Sequence, residues 1–302
     1  MSRLARALGT VVVAFLLIVV ADAPAGFGGG TGLIEALDPT PDATPDPAPA
    51  VPAPTPAPTP APTPTPEPTP VPGWETVFHD GFDGPAGVWP DQWHNMLWTN
   101  GAAQNGLGQL EVGHLSQIRT NQGWSLPVGT RVRVTASLLM PDTGSNYAAL
   151  WVQHPNGIDP REIDVIESYG PLKPAGAQFA SHICYDDTPE TAVNACAATG
   201  RAPVTTPVTS MFPAGAEPWS AFWQYSAEFT VGGDTVLFSA SDTAGNRPYE
   251  IASASDPRRV PGNGAPIQVR LSNKDVAPEH AVPGGTRQSM LVDWVTVEVD
   301  YP

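Results

Sequence analysis

Cysteine is nearly absent: two occur in 302 residues, Cys184 and Cys196, with no third Cys and no His at ligand spacing to complete a zinc site. Positive charge is scarce too, 14 Lys and Arg against 30 Asp and Glu, for a formal net charge of −16. An acidic surface repels polyanions. That argues against nucleic acid, disfavours sulfated or uronate polymers unless a cleft is itself basic, and leaves neutral partners. No apolar stripe with a 3.6-residue period runs for ten residues, so no long amphipathic helix is expected. H-E-x-x-H, G-x-S-x-G, a P-loop, an EF-hand loop and paired C-x-x-C motifs are all missing, which removes the chemistries they serve. There is also no N-x-[ST] sequon.

What is present divides the chain in three. Residues 1–25 carry Arg3 and Arg6, an apolar run from about Thr10 to Ala21, and Ala23-Pro24-Ala25, the pattern of a secretory signal peptide. The run falls short of the ~20 residues that span a bilayer, so a secreted, extracellular product without stable membrane insertion is expected. An uncleaved signal anchor is the alternative. Residues 26–73 begin with the glycine-rich GFGGGTG, a flexible neck, and 16 of the chain's 37 prolines follow between Asp38 and Pro72. Such a segment cannot bury surface and reads as a disordered, extended Pro/Thr-rich linker of roughly 3.1 Å per residue.

Residues 74–302 hold all nine tryptophans, with 24 acids against 12 bases. In TRVRVTASLLM, Val132, Val134, Ala136 and Leu138 alternate with Arg131, Arg133, Thr135 and Ser137; VTVEVDY repeats the pattern with Val295, Val297 and Val299. Period-two alternation marks half-buried strands. ETVFHD, NYAALWVQ, REIDVIE, QFASHICY, WQYSAEFT, TVLFSAS and PIQVRLSN are further strands, divided by turn residues. The fold class is therefore all-β, two antiparallel sheets packed face to face. A local disulfide between Cys184 and Cys196 is the default reading in an exported chain, contributing ~3 kcal/mol in the chain-entropy model. Nothing in the sequence suggests pairing, and a monomer is expected.

The segment REIDVIES carries Glu162, Asp164 and Glu167 among Ile163, Val165 and Ile166. With Ile163 and Val165 facing the core, Glu162 and Asp164 share the outer face, but an ideal strand would send Glu167 inward. One β-bulge at Val165-Ile166 absorbs a residue and returns Glu167 to that face. Neighbouring like charges resist simultaneous ionisation, so one carboxyl is held protonated while another stays ionised. Acetal cleavage with retention needs that division, with the two carboxyls about 5–5.5 Å apart. The bland reading is an acidic edge strand kept soluble.

REIDVIES resembles the E-[ILV]-D-x-x-E signature of glycoside hydrolase family 16, the laminarinases and related β-glucanases. VFHDGFDG, YAALWVQHP, SHICY, FWQYSAEFT and SMLVDWVTVEV resemble further segments of that family, from Trp74 to Tyr301. The resemblance implies a bent β-jelly-roll sandwich with an open concave cleft for endo-attack on a polysaccharide, most simply a neutral β-1,3-glucan. Glu162 would be the nucleophile, Glu167 the acid/base, and Asp164 the carboxylate that hydrogen-bonds the nucleophile. His182 matches the family's histidine beside the acid/base. Trp151, Tyr147, Trp223 and Asn273 are expected at the substrate, Trp151 as a sugar platform. Tyr147 and Ala148 replace the family's Trp-Pro, Trp223 its His, and Phe229 its Trp. No cofactor is required. A structural calcium is implied only weakly, because Gly81 stands where the family has an acid, although Asp293 is retained. The alternatives are a transglycosylase, a hydrolase of mixed-linkage glucan or galactan, and a non-catalytic carbohydrate-binding sandwich.

Overall fold

The computed structural model describes residues 72–96, 101–141, 146–155, 161–168, 179–184, 206–207, 218–242, 249–255, 260–262, 264–275, 285 and 287–302, with backbone alone at 179, 180, 182, 184, 206, 207 and 249–255. All lie in the compact unit Thr59–Pro302. Among the described residues there is no helix.

The strands, in chain order, are β1 (Glu75–Asp80), β2 (Trp93–Asn95), β3 (Ala102–Gln104), β4 (Leu110–Val112), β5 (Ser116–Thr120), β6 (Arg131–Leu139), β7 (Asn146–Gln153), β8 (Glu162–Ser168), β9 (Phe179–Cys184), β10 (Thr206–Pro207), β11 (Trp223–Thr230), β12 (Thr235–Ser241), β13 (Tyr249–Ser255), β14 (Gln268–Asp275) and β15 (Met290–Asp300). They form two antiparallel sheets. One runs β13-β12-β11-β6-β15-β4-β3, with β1 also on β15; the other runs β10-β9-β8-β7-β14-β5-β2. Most neighbours are distant in sequence, so the order of strands is set by the closing of the sandwich rather than by hairpins.

The period-two pattern decides which side chains meet in the middle. Val132, Val134, Ala136 and Leu138 of β6 pack with Tyr225, Ala227 and Phe229 of β11 and Val295, Val297 and Val299 of β15. From the other sheet come Ile118, Leu150, Val152, Ile163, Val165, Ile166, Val269 and Leu271, every one at most 1% exposed. Burying a Val, Leu or Ile of this kind stabilises the fold by roughly 1.5–3 kcal/mol each. These long runs hold the β7-β8-β14 platform rigid. The alternate residues of β7, β8 and β14 are thereby committed to the outer face of the second sheet.

One clasp closes an end of the sandwich. Asn146 donates from Nδ2 to Asn273 Oδ1 at 2.7 Å, and Asn273 donates to the carbonyls of Val112 and Gln288, both at 2.9 Å. Asn273 is fully buried, in phase with Val269 and Leu271. It was expected at the substrate, and it serves instead to tie β14 to β4 and to the segment before β15. Trp223 is corrected in the same way: it begins the inward series Trp223, Tyr225, Ala227, Phe229 and is 6% exposed within the core. Its alternation phase, rather than its aromatic chemistry, decides where it points.

Candidate active site

The expected irregularity in β8 is present. Against β7 the register runs Gln153↔Glu162, Val152↔Ile163 and Trp151↔Asp164, then resumes at Leu150↔Ile166 and Ala149↔Glu167. Against β9 it runs Cys184↔Glu162, Ile183↔Ile163 and His182↔Asp164, then resumes at Ala180↔Glu167. Both ladders skip one residue of β8 between Asp164 and Glu167. Val165 and Ile166 both enter the core, at 1% and 0% exposure, and Glu167 returns to the side of Asp164 and Glu162. A bulge leaves backbone groups without ladder partners. Here the Ser181 hydroxyl donates to the carbonyl of Val165 at 2.6 Å, covering the site of the skip.

The three acids do not stand out in solvent. Asp164 is 1% and Glu167 5% exposed, and Glu162 is half-buried. The Tyr147 hydroxyl donates to Glu167 Oε1. Tyr147 was expected to touch sugar; its aromatic body sits beside the acids and its hydroxyl positions one of them. Lys274 Nζ lies 5.9 Å from the Tyr147 ring centroid. Burial lowers the lysine's pKa from 10.5, and Glu167, Glu162 and Asp164 each pull it back up without cancelling the effect.

Trp151 faces the same way, opposite Asp164, and its ring carries the Arg270 guanidinium at 4.6 Å. Arg270 is 1% exposed and donates from Nη2 to the carbonyl of His154 at 2.9 Å. Desolvation brings its pKa down to about 10; Glu162 opposes that shift and Arg119 adds to it. The side chain of His182 lies outside the described residues, though its backbone stands opposite Asp164. Cys196 is also outside them, so the disulfide to Cys184 belongs with the proposals.

The implied calcium gains no support from the acid of the opening strand. Both oxygens of Asp80 are taken, one by the Phe82 amide and the other by the Trp93 indole, each at 2.9 Å. Among the described residues no group of three His, Cys, Asp or Glu could hold a metal.

Lys274, Arg270 and Ser181 were not anticipated. The signal existed for the first two: in QVRLSNKD, Val269, Leu271 and Asn273 form one phase, so Arg270, Ser272 and Lys274 must form the other. Family likeness drew the expectation to Asn273, on the buried phase.

No family model and no curated protein matches the sequence. Solved structures do. An endo-1,3-β-glucanase from Streptomyces sioyaensis is similar at a TM-score of 0.54 and 19% identity, over 78% of this chain and 100% of that one. An immunostimulatory antigen and pseudo β-1,3-glucanase of Mycobacterium tuberculosis is similar at 0.52 and 21%, over 74% of this chain and 98% of that one. A structure from work on endo-acting O-glycanases with which human gut bacteria initiate mucin breakdown is similar at 0.51 and 17%, over 76% and 100%. The shared feature is the fold, the two-sheet jelly roll that the sequence led one to expect.

Proposed function

We propose that the chain is a secreted, retaining, endo-acting glycoside hydrolase of the family 16 type that cleaves β-1,3-glucan. The observation that carries the reading is the single skipped residue in β8, which returns Glu167 to the face of Glu162 and Asp164. Binding sugar needs no such correction; a nucleophile paired with an acid/base does.

In the first step a Glu162 oxygen attacks the anomeric carbon. The bond to the departing glycosyl oxygen breaks, and Glu167 gives that oxygen its proton. In the second, Glu167 takes a proton from water, whose oxygen displaces Glu162 from the anomeric carbon. Tyr147 orients the Glu167 carboxyl through its hydrogen bond. Asp164 lies between the two on the same face, where it would hydrogen-bond the nucleophile. Trp151, opposite Asp164, forms the floor under the sugar.

Reducing-sugar release from laminarin tests the reaction, with Glu162→Gln as the control. Equal activity of wild type and variant on every glucan would refute the nucleophile. Linkage analysis of products from a panel of β-glucans, xyloglucan and agarose separates β-1,3-hydrolysis from transglycosylation and from attack on mixed-linkage glucan or galactan. Export predicts a mature N-terminus at residue 26, read by terminal sequencing of the secreted protein.

A second reading is a sugar-binding sandwich without turnover. Two observations favour it: Lys274 places a cation among all three acids, and a pseudo-glucanase shares the fold. Tight glucan binding with no product over days would select it.

A further inference from the structure

The acids occupy one end of a longer row. Reading the register across the second sheet, His182, Asp164, Trp151, Arg270, Arg119 and His94 stand side by side on six adjacent strands. Ile118 and Trp93 face the core, so Arg119 and His94 face outward with Arg270. Strands lie ~4.8 Å apart, which sets Arg119 about 14 Å from Asp164, a few sugar residues along a glycan laid across the strands.

This stretch has the wrong charge for its protein. In a chain of net charge −16 it presents two guanidiniums in direct cross-strand register, followed by an exposed histidine. Like charges directly opposite on one sheet face are destabilising. Arg270 is committed, its guanidinium over Trp151 and its Nη2 on the His154 carbonyl. Arg119 is half-buried and pairs with no carboxylate among the described residues. Its hydrogen bond is from Nη1 to Gln268 Oε1 at 3.3 Å, and its buried Nε has no partner. A guanidinium kept partly from water, next to a second one and without a counter-charge, lacks an anion that fits its planar fork.

We propose that Arg119, flanked by His94 and backed by Arg270, forms a subsite for an acidic substituent on the glycan, a carboxylate or a sulfate ester. The inference rests on the glycan-cleft reading above and narrows its substrate. The backbone remains a β-glucan, and selectivity comes from an anion a few residues away from the bond that breaks. Net charge alone argues for a neutral polymer; the local field in the cleft reverses that preference.

Calorimetry on the full-length Glu162→Gln chain tests the subsite with four probes: neutral laminarin, laminarin oxidised at C6 to glucuronate, sulfated laminarin and oligogalacturonate. An oxidised or sulfated laminarin should bind at least tenfold tighter than neutral laminarin, and whichever of the two does so identifies the anion. Arg119→Gln should cut that ratio about tenfold, Arg119→Lys should recover only part of it, and raising salt to 0.5 M should shrink it. Binding of neutral laminarin with equal or better affinity would overturn the subsite and leave the glucanase reading standing. An anionic preference unchanged in Arg119→Gln would also overturn it. Oligogalacturonate bound alone, with the Arg119 dependence, would keep the subsite and overturn the β-glucan backbone. No binding of any probe would overturn both.

Discussion

The two outer faces of the sandwich handle charge by opposite rules. On the face of the β6-β11-β15 sheet both described guanidiniums have carboxylates. Arg131 donates to Glu228 at 2.6 Å and to Asp300 at 3.1 Å, and Arg133 donates to Glu228 at 3.0 Å and to Glu298 at 3.5 Å. The Trp74 ring lies 4.7 Å from one guanidinium carbon and 4.1 Å from the other. On the β7-β8-β14 face, three acids share one strand, Arg270 stands opposite Arg119, and a half-buried lysine feels all three acids. In the first arrangement carboxylates offset the neighbouring guanidiniums, so it asks nothing of a ligand. The second is held in place by the core beneath it, and a face that opposes its own stability is where chemistry is expected.

The comparison is sharpened first by removing the skipped residue. Deleting Val165 removes the extra residue, so that Glu162, Asp164 and Glu167 alternate regularly with Ile163 and Ile166 and keep one face without a bulge. Laminarin hydrolysis should survive while stability falls by roughly 1.5–3 kcal/mol with the lost buried valine; urea denaturation and laminarin hydrolysis measure the two. Glu167→Gln separates them, lowering kcat by ~10²–10⁴ while leaving the denaturation midpoint near that of wild type. Tyr147→Phe removes one charge-assisted hydrogen bond from Glu167 and should lower kcat about tenfold, with a smaller change in KM.

Two substitutions on opposite faces should move stability in opposite directions. Burial pushes the Glu228 carboxyl up, but the hydrogen bonds from Arg131 and Arg133 outweigh it and hold its pKa below 4.5. Its stabilisation is therefore present above pH 4.5 and lost as pH falls through the lowered value. Glu228→Gln should cost about 1 kcal/mol at pH 7, with the difference from wild type closing in acid, and should leave turnover unchanged. Lys274 has the reverse sign. Its folded pKa lies below 10.5, so its charge opposes folding at neutral pH, and that penalty fades as pH rises toward 10.5. Lys274→Met should raise Tm at pH 7 and converge with wild type in alkali; a fall in Tm would show that the three acids outweigh desolvation.

Much of the architecture was legible from periodicity. NYAALWVQ, WQYSAEFT and TVLFSAS are β7, β11 and β12 residue for residue, and the bulge in β8 followed from one apolar residue too many between Asp164 and Glu167. The three-residue strands β2, β3 and β4 were not legible, because so short a segment shows no period, and β5 and β13 were missed as well. At the site the shared face of the three acids was legible, whereas Asn273 and Trp223 face the core. For Trp223 the aromatic chemistry, and for Asn273 the family likeness, was trusted over the phase of the neighbours, and the core claimed both.

Local alternation, by itself, determined which side of its strand each residue would occupy, since successive side chains point to opposite faces whatever the partner strand is. It also determined that β8 had to skip a residue to keep three acids together. Only the tertiary structure decided what those acids would face. β14 and β5 are far from β7 in the chain, and their arrival beside it reflects how two sheets close over a shared core. That long-range closure brought Lys274, Arg270 and Arg119 into line with the carboxylates, a neighbourhood that no local pattern encodes.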